Sequence, residues 1–444
     1  MTAVTAPDAV GAASPARRWY VLMVMCVVYT ISIADRYVMS TVLEPIRLEL
    51  KLTDGGVAFL TGVSLALFYV TLGIPLSWLA DRTNRRNILA IALVAWSVMS
   101  VLCGLSRNYL QLLVARIGVG VGEAGGTPPA NSIIADYFPP ARRAMAMAVF
   151  ALGAPIGAWL GADMAGAVAK AHGWRAAFLV LGAPGVLVGL LVFLTVKEPR
   201  RGRLDAPGGE AAPAFLDTLR FLLRQRACLH VMAGGGLSAL WGWGLMWFTP
   251  TFLQRQYHLD VGEAGAVLGP IHLVAGVVSS LFTAWLLSRP AFGDPRRILL
   301  LLATVTGLAT VPSFIVYWTH SLTVARVMLW MFIPAIYFYI GPAMALVQNL
   351  APAKMRAMFI AISLVAANVL NLIVAPQAVG WLSDVFAGAR GPDAASLRLA
   401  LLILAPTGFW AAWHYWAARR TIVAEQAEAI GGGSTGAVAA APLT

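Results

Sequence analysis

Four charged side chains lie within stretches of this chain that are otherwise apolar enough for a lipid bilayer. They are Asp35, Arg36, Arg116 and Glu123, two acids and two arginines. A charge at membrane depth costs roughly 2.5–3.5 kcal/mol on insertion scales, so such residues usually line a polar pathway. Acids and arginines at similar depth can exchange partners when a proton or an anion arrives. These residues therefore predict a switchable ion-pair cluster in a transporter.

Spacing along the chain predicts which of these charges can meet. Arg116 and Glu123 are seven residues apart, so both project from one face of a helix with about 3.6 residues per turn. At about 1.5 Å per residue, Asp35 and Arg116 reach similar depths from opposite ends of their helices. We expect these two to pair, and the two acids to carry or sense a proton. A static ion pair that only holds helices together is the alternative.

Composition indicates that these charges belong to a membrane protein. Of the 444 residues, 59% are hydrophobic and only 12% are charged, against about 25% charged residues in a soluble globular protein. Crossing a bilayer takes about 20 apolar residues. The predicted spans are 19–43, 56–80, 88–106, 109–131, 144–168, 174–196, 228–253, 263–288, 297–319, 322–347, 357–382 and 396–418. The net charge of +12 lies in basic clusters between these spans, which indicates membrane topology rather than nucleic-acid binding.

The longest polar connection divides the twelve spans into two groups of six. Short segments of the two halves match at offsets that drift from 207 to 213 residues, which indicates duplication. Such halves give alternating access by rocking about a site between them. We therefore predict an all-α membrane protein with twelve transmembrane helices in two pseudo-symmetric six-helix bundles. The predicted boundaries are a disordered N-terminal tail at 1–18, bundles at 19–196 and 228–418, a cytoplasmic linker at 197–227 and a C-terminal tail at 419–444.

Basic residues also predict an orientation. The loops on the side of both termini hold 21 lysines and arginines and the opposite loops hold 8, so the positive-inside rule places both termini in the cytoplasm. The first apolar stretch lacks a small-residue cleavage site, so we expect a retained helix rather than a signal peptide. The three cysteines and six histidines show no metal-ligand spacing. We expect no cofactor, no metal and no enzymatic activity, and we expect a gradient as the energy source.

Further candidates lie in one polar loop and in the second half. Asp81 precedes a run of arginines between the second and third spans, and such a turn can latch to a neighbouring helix in one conformation; simple topogenic charge is the alternative. Arg326 matches Arg116 but lacks an acidic partner, so it is a candidate ligand for an anionic group, with snorkelling to the membrane surface as the rival role. Tryptophan among glycines, with tyrosine and asparagine in mid-span, predicts a large amphipathic pocket in the second half.

At these residues the chain resembles the major facilitator superfamily. The run at 81–86 (Asp-Arg-Thr-Asn-Arg-Arg) is similar to its cytoplasmic loop motif, and the run at 153–157 (Gly-Ala-Pro-Ile-Gly) to its fifth-helix motif of antiporters. Asp35-Arg36, the run at 116–124 and the run at 136–139 (Asp-Tyr-Phe-Pro) resemble the Spinster branch. Eukaryotic members of that branch are linked to lysophospholipid and sphingosine phosphate export, and the matching acids to proton sensing. The short loops and the absence of a glycosylated extension lead us to expect a bacterial relative of that branch.

The residues and the resemblance together predict a secondary active transporter with alternating access, coupled to protons and moving a lipid-like amphiphile of lysophospholipid or sphingosine type. A multidrug or small organic-anion transporter of the same fold is the alternative; a membrane enzyme and a receptor without transport are the rivals from other classes. We expect it in a bacterial inner membrane, where a monomer is sufficient and where the cargo, protons and the bilayer are its partners.

The candidate residues form four groups. They are Asp35 and Glu123 for the proton; Arg36, Arg116 and Arg326 for ion-pair switching and substrate; Thr127, Asn131, Trp241, Trp247, Tyr337, Tyr339, Asn368 and Asn371 for the pocket; and Asp81, Arg82, Arg85, Arg86, Asp136 and Arg142 for the cytoplasmic gate.

Overall fold

The computed structural model describes residues 14–200 and 215–431. Within these two ranges the chain is helical and contains no β-strand. Most of the predicted N-terminal tail, the middle of the predicted linker and the end of the predicted C-terminal tail lie outside them. The predicted domain boundaries therefore stay predictions.

Ten helices in the described ranges are long and apolar enough to cross a membrane. They are Pro15–Thr41 (span 1), Asp54–Ala80 (span 2), Arg85–Leu105 (span 3), Arg142–His172 (span 5), Trp174–Thr195 (span 6), Val261–Leu287 (span 8), Pro295–Trp318 (span 9), Leu322–Asn349 (span 10), Met358–Arg390 (span 11) and Ala394–Ala418 (span 12). The two remaining predicted spans are each built from two helices. Span 4 consists of Tyr109–Glu123 and Thr127–Tyr137, and span 7 of Arg226–Met246 and Thr249–Tyr257. Together these make the twelve predicted spans.

Several spans depart from regular α-helix at membrane depth. Span 4 is interrupted at Gly125 and Gly126, and its second helix starts with proline in the first turn, where the missing N–H costs no hydrogen bond. Spans 5 and 11 contain π-helical turns at Leu160–Met164 and Val369–Val374, whose separation falls within the 207–213 residue offset between the halves. Irregular backbone at membrane depth is tolerated only where protein or a cavity surrounds it. These breaks therefore point inward, toward the helix interfaces.

The buried apolar residues form three clusters. One fills the first half around Trp96, and a second fills part of the second half around Phe359 and Tyr415. The third bridges the halves, because it joins Tyr37 of span 1 to Trp247 of span 7. The two bundles are thus packed against each other along spans 1 and 7 as well as within themselves.

Small residues let the halves approach closely toward one side of the membrane. We call the side on which span 1 begins and span 12 ends the terminal face, and the other side the opposite face. A Cβ on Gly62 of span 2 would collide with the Leu372 carbonyl of span 11, and one on Gly265 of span 8 with the Ala162 carbonyl of span 5. Helices in membranes associate through such close approach. The two halves are therefore held together by glycine contacts near the opposite face.

The segment after span 12 is packed against the second half. Helix Ile422–Gly431 lies within the predicted tail; Ile422 is fully buried, and both Glu425 carboxylate oxygens accept the Ala227 N–H, at 3.0 and 2.8 Å. A carboxylate at a helix N-terminus satisfies a backbone donor and complements the helix dipole. The tail is thereby anchored to the start of span 7.

Substituting Gly62 with Ala should destabilise the protein, because the added methyl group has to displace the backbone of span 11. Overpacking of this kind costs about 1–3 kcal/mol. We expect a lower melting temperature in detergent, measured by scanning fluorimetry. Gly341→Ala is the matched control, since nothing lies within 4 Å of a Cβ at that helical position. Equal melting temperatures for the two variants would contradict the close packing of spans 2 and 11.

Candidate functional site

Two ion pairs connect span 1 with span 4 inside the first half. Arg116 Nη1 lies 3.3 Å from Asp35 Oδ2, and Arg36 Nη2 lies 2.6 Å from Glu123 Oε2. Asp35, Arg116 and Glu123 are 5%, 1% and 2% exposed. The Ser100 hydroxyl of span 3 also donates to Asp35. The structure thus brings Asp35 and Arg116 together, and it places Arg36 on the second acid rather than beside Asp35.

Helix geometry explains why neighbouring residues of span 1 take different partners. Consecutive helical residues are rotated by about 100°, so Asp35 points into the bundle while Arg36 points toward the boundary with the second half. The Arg36 guanidinium lies 4.8 Å from the centre of the Tyr69 ring, a cation–π contact. Glu123 ends the first helix of span 4, and its Oε1 has no hydrogen-bond partner among the described residues. One carboxylate oxygen of Glu123 therefore makes no hydrogen bond within the described part of the chain.

A cavity of about 220 Å³ lies between the halves, next to Arg36. Spans 1, 5, 7, 10 and 11 form its wall, which is mostly apolar and aromatic. Arg36 is the charged member of its described lining, and the Asn371 side chain lies on the second-half side. Trp247 Nε1 donates to Asn371 Oδ1 at 3.0 Å, which fixes the orientation of both side chains. The cavity can hold an apolar body with one anionic group.

Four of the eight predicted pocket residues line this cavity. They are Trp247, Tyr339, Asn368 and Asn371. Trp241 does not, because it is fully buried within the second half and donates to Ser313 Oγ at 2.9 Å. Tyr337 lies behind the wall, with its hydroxyl 3.1 Å from His272 Nδ1. Both side chains lie on helix faces that are turned away from the cavity.

The other two predicted pocket residues lie in the first half. Thr127 borders a separate, very small cavity that is shared with Trp96 and Phe150, and Asn131 follows one helical turn later on span 4. Span 1 stands between them and the cavity at the boundary of the halves. Tyr29 and Tyr37 of span 1 line that cavity instead, and the sequence pattern did not indicate them because tyrosine in a first span also suits a membrane interface.

Arg326 is far from the ion-pair cluster, contrary to the predicted switching role. It is exposed near the opposite-face end of span 10 and lines a surface groove with Glu263 and Trp330. Arg326 matches Arg116 in the duplicated sequence pattern, but the two arginines have different neighbours. No acid follows Arg326 on the same helix face, whereas Glu123 follows Arg116. A role for Arg326 in the central site is therefore not supported by its position.

Part of the predicted gate forms a charged cluster within the first half at the terminal face. Arg85 Nη1 lies 2.5 Å from Asp136 Oδ2, and Arg85 Nε lies 2.7 Å from Glu198 Oε1. Glu198 also accepts the Arg86 N–H at 2.9 Å, so it binds both arginines at the start of span 3. The sequence pattern gave no sign of Glu198, which lies more than a hundred residues away in the chain and follows span 6.

The remaining gate candidates make local contacts. Arg82 stacks over the Trp78 ring at 4.1 Å, Arg86 donates to the adjacent Asn87 side chain, and Arg142 is exposed. The Asp81 side chain lies outside the described part of the structure. The described contacts of Arg82, Arg85 and Arg86 stay within the first half and the start of the predicted linker directly after span 6.

The opposite face is closed by a second charged network that joins the halves. Arg255, at the end of span 7, binds Glu44 and Asp54 of the first half, with each of these contacts at 2.6 Å. Asp384 of span 11 accepts the Asp54 and Gly55 N–H groups at 2.8 Å each. We call Glu44, Asp54, Arg255 and Asp384 the latch. Its partners are about 200 or more residues apart in the chain, so no local sequence signal indicated it.

The family model for the Major Facilitator Superfamily matches residues 25–376 of this chain. An MFS-type efflux pump of Mycolicibacterium smegmatis is 32% identical over 423 residues, which cover 93% of this chain and 96% of that protein. The sphingosine-1-phosphate transporter of Danio rerio is 32% identical over 228 residues, which cover 50% of this chain and 45% of that protein. Protein spinster of Drosophila melanogaster is 26% identical over 290 residues, or 63% of this chain and 48% of that protein.

Two solved transporter structures are similar to this chain. A bacterial homologue of the human lysosomal transporter Spinster, in an inward-facing and unoccupied conformation, matches with a TM-score of 0.81 at 28% identity, covering 93% of this chain and 99% of that one. The inward-open xylose transporter of E. coli matches with a TM-score of 0.68 at 16% identity, covering 90% of this chain and 96% of that one. The second likeness shows the fold alone.

Replacing Arg255 with Gln should open the opposite face, because Glu44 and Asp54 lose the cation that they share. Removing one partner of a buried pair costs about 3–5 kcal/mol. Spin labels at the exposed residues Leu48 and Arg390, one in each half, report the opening as a longer distance in pulsed electron spin resonance. Arg107→Gln, an exposed arginine on the same face, should leave the distance unchanged. The latch is refuted if Arg255→Gln leaves it unchanged as well.

The latch should also weaken in acid. Burial acts to raise the pKa of Glu44, but hydrogen bonds from Arg47 and Arg255 outweigh it and hold the pKa below the ordinary value of 4.5. Because the pKa of Glu44 is lowered in the closed form, its ionised carboxylate stabilises that form at a pH above 4.5. This stabilisation is lost as the pH falls through the lowered pKa. The Leu48–Arg390 distance should therefore lengthen below about pH 4.5. In Glu44→Gln the longer distance should be present already at pH 7 and change little with acid.

Proposed function

This chain belongs to the major facilitator superfamily and is a Spinster-like, multi-pass membrane transporter, and from that premise we propose that protons drive it and that its cargo is a lipid-like amphiphile of lysophospholipid or sphingosine type. Family membership confirms the predicted fold and the predicted class, a transporter rather than an enzyme. Coupling and cargo rest on the residues of the site.

One observation carries the proposal: Arg36 binds Glu123 and also lines the cavity between the halves. An anionic head of a cargo molecule can replace the Glu123 carboxylate on the Arg36 guanidinium, because the planar fork matches either group. Glu123 would then be an unpaired acid in a buried site, and such an acid takes up a proton because an isolated buried charge is costly. Cargo binding and proton uptake are linked in this way.

The deeper pair extends this linkage to the rest of the first half. Asp35 and Arg116 do not line the cavity, so cargo reaches them only through a rearrangement. Protonation of Asp35 would release Arg116, which projects from the same helix as Glu123 and could then turn toward that acid. The two pairs can thus exchange partners between the two access states, which is the property that coupling needs.

The lining of the cavity supports an amphiphilic cargo. Its wall is aromatic and aliphatic, with one arginine in the first half and with Asn368 and Asn371 in the second. A volume of about 220 Å³ is below the roughly 300–1,000 Å³ of typical ligand pockets, so it can enclose a head group and the start of a chain. The remainder of the cargo would extend along the boundary between spans 7, 10 and 11 toward the terminal face.

We infer that the structure represents an inward-facing state. The latch and the glycine contacts close the opposite face, whereas the charged cluster at the terminal face is satisfied within the first half. The excess of lysine and arginine on the terminal side supports a cytoplasmic location for that face. The bacterial homologue of Spinster that matches at a TM-score of 0.81 is itself described as inward-facing. We propose a bacterial inner membrane with both termini in the cytoplasm.

Transport of drugs or small organic anions is the second candidate. It is favoured by the likeness to an efflux pump over 93% of this chain, whereas the likeness to the sphingosine-1-phosphate transporter covers half of it. Both cargo classes suit an apolar cavity with one arginine. The two classes differ in the length of the apolar part of the cargo, which is longer in a lipid.

The deciding experiment is flux of a labelled lysophospholipid and of a sphingosine-type lipid in proteoliposomes, with and without an imposed pH gradient. We expect gradient-dependent flux in the wild type. Asp35→Asn and Glu123→Gln should each lose the gradient-dependent part, since neither replacement can bind the proton. Asp217→Asn removes an exposed acid outside the spans and should retain it.

The outcomes separate coupling from cargo. Gradient-dependent flux that survives both acid substitutions would remove these residues from the coupling role. Absence of lipid flux together with gradient-driven flux of a cationic dye or an organic anion would favour the second candidate and leave the coupling proposal standing. Arg36→Gln should weaken binding of an anionic lipid more than binding of a cationic dye.

A further inference from the structure

A groove lies at the opposite-face rim of the second half, away from the central cavity. Glu263, Val267 and Ile271 of span 8 and Arg326 and Trp330 of span 10 line it, and its volume is about 360 Å³. At about 1.5 Å per residue, Arg326 lies about 6 Å and Trp330 about 12 Å below the start of span 10. The groove is therefore at the depth of lipid head groups and of the first carbons of their chains.

An apolar cleft continues from this groove toward the middle of the membrane. It has a volume of about 540 Å³ between spans 8, 9 and 10, and Trp330 borders both the cleft and the groove. Its lining includes Val278, Leu308 and Met331, which are 60%, 69% and 57% exposed. The cleft and the groove share Trp330 in their linings, so together they form a surface site that is charged at the rim and apolar below it. We call the two the rim site.

The charges of the rim site are available to a ligand. The Arg326 guanidinium makes no ion pair with the acids in the described ranges, although it lines the same groove as Glu263. Glu263 is exposed, and its Oε2 accepts the Asp260 N–H at 2.9 Å as part of a helix cap, in which its Oε1 takes no part. Snorkelling accounts for an arginine at a membrane rim. The helix cap accounts for Glu263 in turn, but neither explanation accounts for the two opposite charges bordering one groove that opens onto an apolar cleft.

We propose that the rim site binds one bilayer phospholipid whose head carries both a phosphate and a primary ammonium group, as in phosphatidylethanolamine. The phosphate binds Arg326, whose fork matches phosphate oxygens. The ammonium group binds Glu263, and one acyl chain fills the apolar cleft beside Trp330. A head group with only negative charge would bind Arg326 but would be repelled by Glu263. The site is separate from the central cavity and does not depend on the identity of the cargo.

Native mass spectrometry of the detergent-purified full chain tests this directly. Phosphatidylethanolamine, phosphatidylcholine and phosphatidylglycerol with identical acyl chains are titrated, and the occupancy of the first bound lipid is measured. We expect phosphatidylethanolamine to bind most tightly. Arg326→Gln should weaken its binding about tenfold, as expected for one charge-assisted hydrogen-bonded contact. Glu263→Gln should weaken it as well and should abolish the preference over phosphatidylglycerol.

The control is Arg107→Gln, which removes an exposed arginine from the same face of the first half and should leave all three lipids unaffected. Equal affinities of the three lipids for the wild type would overturn the proposal, as would equal weakening by Arg107→Gln and Arg326→Gln. The wild-type comparison decides the matter even if a variant is not monodisperse. Arg326→Gln and Glu263→Gln should change lipid preference without removing the gradient-dependent part of cargo flux, which Glu123→Gln removes. The two proposals can therefore fail independently.

Discussion

The cost of leaving a charge unpaired away from water is the constraint on which this structure depends. Arg116 and Glu123 project from one broken helix, so their partners have to come from another span, and consecutive residues of span 1 supply both. Burial makes each contact strong, and it makes each broken contact expensive. A cluster under this constraint has few stable arrangements. That is a useful property for a protein that has to change between discrete states, because a proton or an anion can select among them.

The same constraint explains the two faces of the molecule. At the opposite face, Arg255 reaches across the boundary between the halves to acids of the first half, so separation of the halves leaves charges without partners. Glycines at the same boundary allow the backbones to touch. At the terminal face, Arg85 binds Asp136 and Glu198 within one half. The described ion pairs of this cluster therefore do not have to break when the halves part at that face.

Much of the fold and half of the central pocket could be predicted from the sequence. Apolar stretches of about 20 residues identified the spans, and the offset between repeats identified two bundles. Charges at membrane depth identified Asp35 and Arg116 as partners, because so few residues there can pair. The cavity does not include Trp241, Tyr337, Thr127 or Asn131, because the sequence does not show how each helix is rotated against its neighbours. Arg326 lies at the rim, where the repeat that matches it to Arg116 supplies no acidic partner. Nor could the sequence indicate Glu198 or Arg255, whose partners lie far along the chain.

By itself, the sequence determined that this is a helical membrane protein in two related halves with buried charges in the first. The reason is physical: a bilayer allows only a backbone that satisfies its own hydrogen bonds, and it admits charge only at a high free-energy cost. Tertiary structure alone decided which acid each arginine binds, which face is closed and which aromatic residues reach the cavity. Those outcomes depend on how the helices cross and rotate, and crossing and rotation follow from side-chain contacts between spans that are distant in the chain.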